Sequence, residues 1–235
     1  MNAKYLLIFA LIAAFFVSAF ATTEVLENVE DIASSVGLGD HDEVVSYESP
    51  ETLGAIRLSA AGFAHIRNNL FGGRLKQSEV DSINAIMAGC NQHGIGDIRH
   101  AAYILATARH ETGSMSPVRE AFWLPESYRR TLRYYPYYGR GFVQLTWREN
   151  YQRADNILRL GGRLMKNLDL ALDRGIAAQI IVRGMKDGWF TSRKLSHYIY
   201  GGTCDYYNAR RIVNGLDRAQ LIANYAKIFE QAFRK

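Results

Sequence analysis

Apolar residues recur at helical spacing through most of the chain beyond residue 56, and only one long stretch abandons that rhythm. Val80, Ile83, Ile86, Met87 and Cys90 lie on one helical face, after a Ser78-x-x-Asp81 pattern that resembles a capping box. Gly94 and Gly96 break the chain. Asp97 can then cap a helix whose inner face is Ile98, Ala101, Ala102, Leu105 and Ala108, running into His110-Glu111 and stopping near Gly113, before Pro117. Further helices are expected at about 149–160 and 174–187, the second capped by Asp173 and stopped by Gly188. A short one is expected at 205–213. The last starts from Asp217 and buries Leu221, Ile222, Tyr225, Ile228 and Phe229. The exception is 134–147, Tyr-Tyr-Pro-Tyr-Tyr-Gly-Arg-Gly-Phe-Val-Gln-Leu-Thr-Trp. It is rich in β-formers and broken by Gly and Pro, so a short hairpin or irregular extended segment is expected there. The fold class is therefore mainly α, an α+β domain whose helices surround one small extended segment lining a cleft.

Charge and hydropathy divide the chain into three. Lys4 followed by the apolar run from Tyr5 to Ala21, with Ala19-Phe20-Ala21 as a small-x-small site, reads as an export signal. The run is also about long enough to span a bilayer if uncut, so residues 1–21 are expected to be either a cleaved signal peptide or an inner-membrane anchor. The protein would then act in the periplasm or outside the cell. Residues 22–54 hold nine acidic residues and no Lys or Arg, as an acidic linker would. Residues 55–235, the expected folded domain, carry 27 basic against 14 acidic residues, a net of +13. A basic body favours polyanionic partners such as cell wall. No Lys/Arg run of the nucleic-acid-binding kind is present, so nucleic acid is not an expected partner. Cys90 and Cys204 could pair in an oxidising compartment or remain free thiols. Cys90-x-x-His93 is a weak metal hint, better read as a packed Cys and a surface His. No metal or cofactor is expected.

Two carboxylates stand out. Glu111 ends a helix of almost wholly apolar residues, where burial and the negative end of the helix dipole favour a protonated carboxyl. Glu120 follows nine residues later, past Gly113 and Pro117, on a loop from which it could face Glu111 across a groove. Spacing alone also allows two plain surface charges, Glu111 paired with Arg109 or His110 and Glu120 beside Arg119.

His110-Glu111-Thr112-Gly113, Arg119-Glu120, Gly139-Arg140-Gly141-Phe142-Val143-Gln144-Leu145-Thr146-Trp147 and Asn150-Tyr151 together resemble the family 19 chitinase-type glycoside hydrolases, within the lysozyme-like superfamily. The short loops are most similar to the phage-type endolysin branch. Arg211-Ile212-Val213-Asn214-Gly215 is similar to the family's sugar-contacting Asn-Gly element. The resemblance covers about residues 70–233. It implies an inverting mechanism with Glu111 as general acid and Glu120 as general base, and Thr146 as the hydroxyl that helps hold the water. Gln144, Asn150 and Asn214 match sugar-binding positions. Tyr138 and Tyr151 would stack on sugars or line the groove. Arg140 would orient a catalytic carboxylate or brace its loop. Gly139 and Gly141 would permit close backbone approach or positive φ. The distance from Glu111 to Glu120 is shorter than in plant-type members, which leaves Glu126 as the alternative base.

The expected activity is hydrolysis of β-1,4 bonds in bacterial peptidoglycan by a monomeric muramidase, in host lysis or wall remodelling. A chitinase acting on N-acetylglucosamine polymers shares the same site chemistry. A non-catalytic wall-binding protein has no need of the Glu111/Glu120/Thr146 set.

Overall fold

The computed structural model describes residues 55–235. The expected signal or anchor at 1–21 and the acidic linker at 22–54 lie outside the described residues. The helices are α1 (Ala60–Leu70), α2 (Gln77–Gln92), α3 (Ile98–Thr112), α4 (Glu126–Arg129), α5 (Arg148–Ile157), α6 (Arg163–Lys166), α7 (Arg174–Asp187) and α8 (Ala219–Phe233). Short 3₁₀ turns at Leu168–Leu172, Leu195–His197 and Asn208–Ile212 join them. The strands are two residues each: β1 (Val118–Arg119), β2 (Arg140–Gly141), β3 (Ile199–Tyr200) and β4 (Thr203–Cys204). This is a mainly helical α+β fold, as expected. Among the described residues no helix is long and apolar enough to cross a membrane.

Helix α3 is the axis of the fold. Asp97 caps it by accepting from the Arg99 amide at 2.9 Å, and Gly113, at φ 66°, ends it. Both signals were readable. Its burial was not: every residue from Ala101 to Ala108 is inside, not one face of five. The cause is its neighbours. Helix α8 packs along α3, α1 closes over α8, and α7 lies against α2 and touches α3. An apolar helix enclosed on all sides needs no polar face, and its alanines let the surrounding helices approach closely.

Two expected helix starts change. Helix α2 begins at Gln77, and Glu79 supplies the cap by accepting from the Lys76 amide at 2.8 Å. Ser78 and Asp81 lie inside the helix, where Asp81 accepts from the Gln77 side chain. Helix α8 starts at Ala219 after Arg218 in a left-handed conformation (φ 56°), and the Asp217 side chain caps nothing. Leu221 faces outward, because Ile222, Ala226 and Phe229 set the buried stripe. Residues 199–204 form a hairpin, β3 pairing with β4 across Gly201-Gly202, a two-residue Gly-Gly turn between β-formers.

The extended segment at 134–147 is held from three sides. β2 pairs antiparallel with β1, Val118 opposite Gly141 and Arg119 opposite Arg140. Arg140 and Leu145 exchange backbone hydrogen bonds at 3.2 and 2.8 Å, closing a tight loop. Helix α5 then starts directly after Trp147. The turn beyond α5 is pinned by Asp155, which is buried and accepts from the amides of Gly162 and Leu164 at 2.7 Å and of Met165 at 3.3 Å. Asp155→Ala leaves three amides without their acceptor. It should lower stability by about 3 kcal/mol in a denaturant titration, more than Gln152→Ala on the exposed side of the same helix.

Candidate active site

Glu111 sits in the last turn of α3 and is only 6% exposed. A buried carboxylate needs a partner, and the sequence offered Arg109 or His110. Neither is used. Arg109 turns away to the carbonyls of Gly113 and Leu70, lying over the rings of Phe71 and Tyr225. His110 is half-buried, and burial foremost pushes its pKa down, so it is neutral at neutral pH. The partner is Arg210, from the turn Asn208–Ile212, whose Nη1 donates to Glu111 Oε1 at 2.6 Å with both side chains buried. Arg210 Nε is held in turn by the Asp217 carbonyl at 3.1 Å. Glu111 Oε2 accepts no hydrogen bond among the described residues, and it is not one of the sealed, unpartnered atoms of the interior. One oxygen is anchored and the other is available.

Glu120 directly follows β1 and is held at both oxygens. Tyr134 donates its hydroxyl to Oε1 at 2.6 Å, and the Gly139 amide donates to Oε2 at 2.8 Å. The Glu120 amide returns a bond to the Gly139 carbonyl at 2.7 Å. Burial and the hydrogen bond to Glu120 push the Tyr134 phenol pKa up, so it stays a donor. Each carboxylate oxygen keeps a second lone pair for a water. The two glutamates do not bond to each other: each is satisfied by its own partners.

Gly139 is where Glu120 meets Gln144. A Cβ on it would stand 2.9 Å from Gln144 Oε1 and 3.3 Å from Glu120 Cβ, so any larger residue would push the Gln144 side chain aside. Gly141 (φ 81°) is excluded from change by the Ala171 carbonyl, 2.6 Å from where a Cβ would be. Gln144 donates to the carbonyls of Val118 and Gly141 at 3.0 and 3.2 Å. Thr146 Oγ1 donates to the Gln144 carbonyl at 2.7 Å, and Asn150 to the Thr146 carbonyl at 2.9 Å. These three are half-buried, and their contacts are loop bracing. Asn214 is exposed and accepts from the Gly215 amide.

Two rings expected to stack on sugars or line the groove, Tyr138 and Tyr151, lie in the interior instead. Tyr151 is fully buried, its hydroxyl bonded to Arg140 and the Tyr138 carbonyl. Tyr138 is buried with the Arg140 guanidinium 3.7 Å from its ring centre. Arg140 is buried too, donating to Asp169 at 2.8 Å, to the carbonyls of Pro136 and Tyr138, and to the Tyr151 hydroxyl. Of its two alternatives, bracing the loop is the one observed. Glu126 pairs with Arg129 at 2.7 Å, which in turn holds the carbonyls of Ala121 and Leu124. Its role is to tie the loop after Glu120.

Sequence reasoning missed Arg210, Tyr134 and Asp169. Arg210 lies one residue before the Asn-Gly motif. Tyr134 opens the extended segment, where it reads only as a β-former. Asp169 accepts from both Arg119, at 2.6 Å, and Arg140. It joins β1 and β2 to the turn beyond α6. Also missed were the exposed rings near Glu120: Phe122, Trp123, Tyr135 and Trp147. The backbone is strained here. Among the described residues seven non-glycines have positive φ, and four of them (Met115, Ala121, Gln144 and Trp147) lie between α3 and α5. Such strain persists where surrounding structure enforces it, and it gathers at functional sites.

Cys90 is buried and free, its thiol pushed up to about 12 by burial, and Cys204 is exposed and free. His93 bonds Gln179. Among the described residues no group of three His, Cys, Asp or Glu side chains could hold a metal ion.

No family model matches the sequence, and no curated protein does. A crystal structure of a mutant of chitinase C is similar over 76% of this chain and 93% of that one, at 22% identity and a TM-score of 0.46. A likeness at that level assigns neither family nor activity to this chain.

Burial raises the Asp169 pKa, but the hydrogen bonds from Arg119 and Arg140 outweigh it and hold the carboxyl below the usual range. A depressed folded pKa gives stability that is present above the unfolded value of about 3.9 and lost as pH falls through the folded one. Thermal melts of wild type and Asp169→Asn should therefore differ most above about pH 5 and converge as pH falls through the lowered folded value.

Proposed function

We propose that this protein is a lysozyme-like glycoside hydrolase that cuts β-1,4 bonds of bacterial peptidoglycan with inversion at the anomeric carbon. The observation that carries the reading is the Glu111 carboxyl, nearly buried, with Oε1 fixed by Arg210 and Oε2 left for a ligand. Glu120, fixed by Tyr134 and Gly139 on a strained loop a few residues on, is the second carboxylate that such chemistry needs.

In this mechanism Glu111 gives a proton to the glycosidic oxygen as the bond to the anomeric carbon breaks. A water attacks that carbon from the opposite face and passes a proton to Glu120. The products are a free hydroxyl on the leaving sugar and a new anomeric hydroxyl of inverted configuration. An inverting pair stands roughly 6.5–9.5 Å apart, with room for the water. Thr146, Gln144, Asn150 and Asn214 are proposed to assist water and sugar binding, the first three after exchanging a bond that now braces the loop. Export through residues 1–21, cleaved or retained as an anchor, would bring the basic body to an anionic wall, where it is proposed to act as a monomer.

Glu111→Gln keeps an acceptor for Arg210, so it should remain folded by circular dichroism at a cost of at most about 3–5 kcal/mol in stability, yet lose about 10²–10⁴-fold in turnover of purified peptidoglycan. Unchanged turnover by the folded variant removes the mechanism. Mass analysis of the reducing ends separates a muramidase from a glucosaminidase, and turnover of chitin oligomers alone selects a chitinase. Tyr134→Phe, which frees one oxygen of Glu120, should lower kcat about tenfold with a smaller change in KM; a change confined to KM would place Tyr134 in binding instead.

A further inference from the structure

The arginines around Glu120 are not equivalent. Arg119, Arg129 and Arg140 each have a carboxylate partner. Arg133 has no hydrogen-bond or ion-pair partner among the described residues, but it does not point freely into solvent. Its guanidinium lies over the ring of Trp147, 4.9 Å from the centroid. Trp147 is 40% exposed, and its ring lies 5.2 Å from that of Tyr134, the donor to Glu120. Trp147 is also strained, at φ 76°, with its amide tied to the Tyr137 carbonyl at 2.9 Å. An exposed tryptophan held in a strained backbone, and a cation laid on it with its donors unspent, form a short ladder leading away from Glu120. Arg130 and Arg148, both exposed and without ion-pair partners among the described residues, add positive charge on the same segments.

We propose that Arg133 and Trp147 form a sugar position selective for an N-acetylhexosamine that carries a free carboxylate, as a muramic acid unit without its stem peptide does through its lactyl group and chitin does not. The part of the indole that the guanidinium leaves open, on a residue 40% exposed, supplies the apolar surface against which a pyranose settles. The guanidinium, stacked and thereby oriented, presents its outer N–H donors as a planar fork that matches a carboxylate. Lysine at this position would keep the charge but lose both the stack and the fork. The proposal rests on the reading of Glu111 and Glu120 as the glycosidase pair, and names what gives that site its preference.

The test is calorimetric binding to the full chain carrying Glu111→Gln, so that the ligand is not consumed. Two probes of equal length are compared: a tetrasaccharide alternating N-acetylglucosamine with N-acetylmuramic acid, and the neutral N-acetylglucosamine tetramer. The acidic probe should bind more tightly, and added salt should shrink its advantage. Arg133→Gln should reduce the preference for the acidic probe by about tenfold, and Arg133→Lys should restore only part of it. Trp147→Ala should weaken both probes together. Equal affinity for the two probes, binding of neither, or equal losses on Arg133→Gln overturns the proposal. Failure of the glycosidase reading shows separately, as absence of any cleavage by the chain with Glu111 intact.

Discussion

The structure depends on how it accommodates one carboxylate at the end of an enclosed helix. α3 is surrounded by other helices, so Glu111 emerges where water is scarce. Removing one member of a buried ion pair typically destabilises a protein by about 3–5 kcal/mol, because the remaining charge is stranded. Arg210 is thus as necessary to the end of α3 as Glu111 itself. It is delivered by a short 3₁₀ turn ninety-nine residues later, locked by the Asp217 carbonyl just before α8 begins. α8 is also the main packing partner of α3, so the segment that leads into that helix is the one that holds the counter-charge in place.

The second carboxylate is managed differently. Glu120 lies on a loop, and loops lack the regular hydrogen bonding that makes a helix rigid. Its rigidity comes from cross-links: its own amide and carboxylate bracket Gly139, and Tyr134 fixes the other oxygen. One layer further out, Asp169 clamps Arg119 and Arg140, the residues that face each other across β1 and β2. Two-residue strands could not hold such a loop alone. Side chains do the work that a longer ladder would otherwise do, which explains why so many arginines in this region are spoken for.

What could be read in advance follows from what is local. Asp97, Gly113, Asp173 and Gly188 end their helices through bonds within a few residues, so the sequence displays them. The glycines at 139 and 141 were expected to allow close approach, and they do. The partners of the two glutamates were not readable. Arg210 and Asp169 are brought in by tertiary packing, and nothing in the local pattern marks one arginine among many. The Gly201-Gly202 hairpin is as local as the helix ends, a two-residue turn between β-formers within a helical stretch. Leu221 shows an error of pattern: a hydrophobic residue counted as core because its neighbours were.

The aromatic residues make the clearest case for separating position from type. Tyr138 and Tyr151 lie in the most recognisable stretch of the chain, and both are consumed internally. Their rings carry Arg140, and the Tyr138 carbonyl and the Tyr151 hydroxyl accept its hydrogen bonds. A sugar cannot use a ring that is already a wall of the protein. Phe122, Trp123 and Trp147 come from less conspicuous positions and remain outside, with the positive φ of Ala121 and Trp147 setting the backbone there. If a glycan strand is bound near Glu120, its apolar faces must rest on these rings rather than on the tyrosines. The region thus separates into an inner arginine–tyrosine brace that holds the loop and an outer aromatic rim that a ligand can reach.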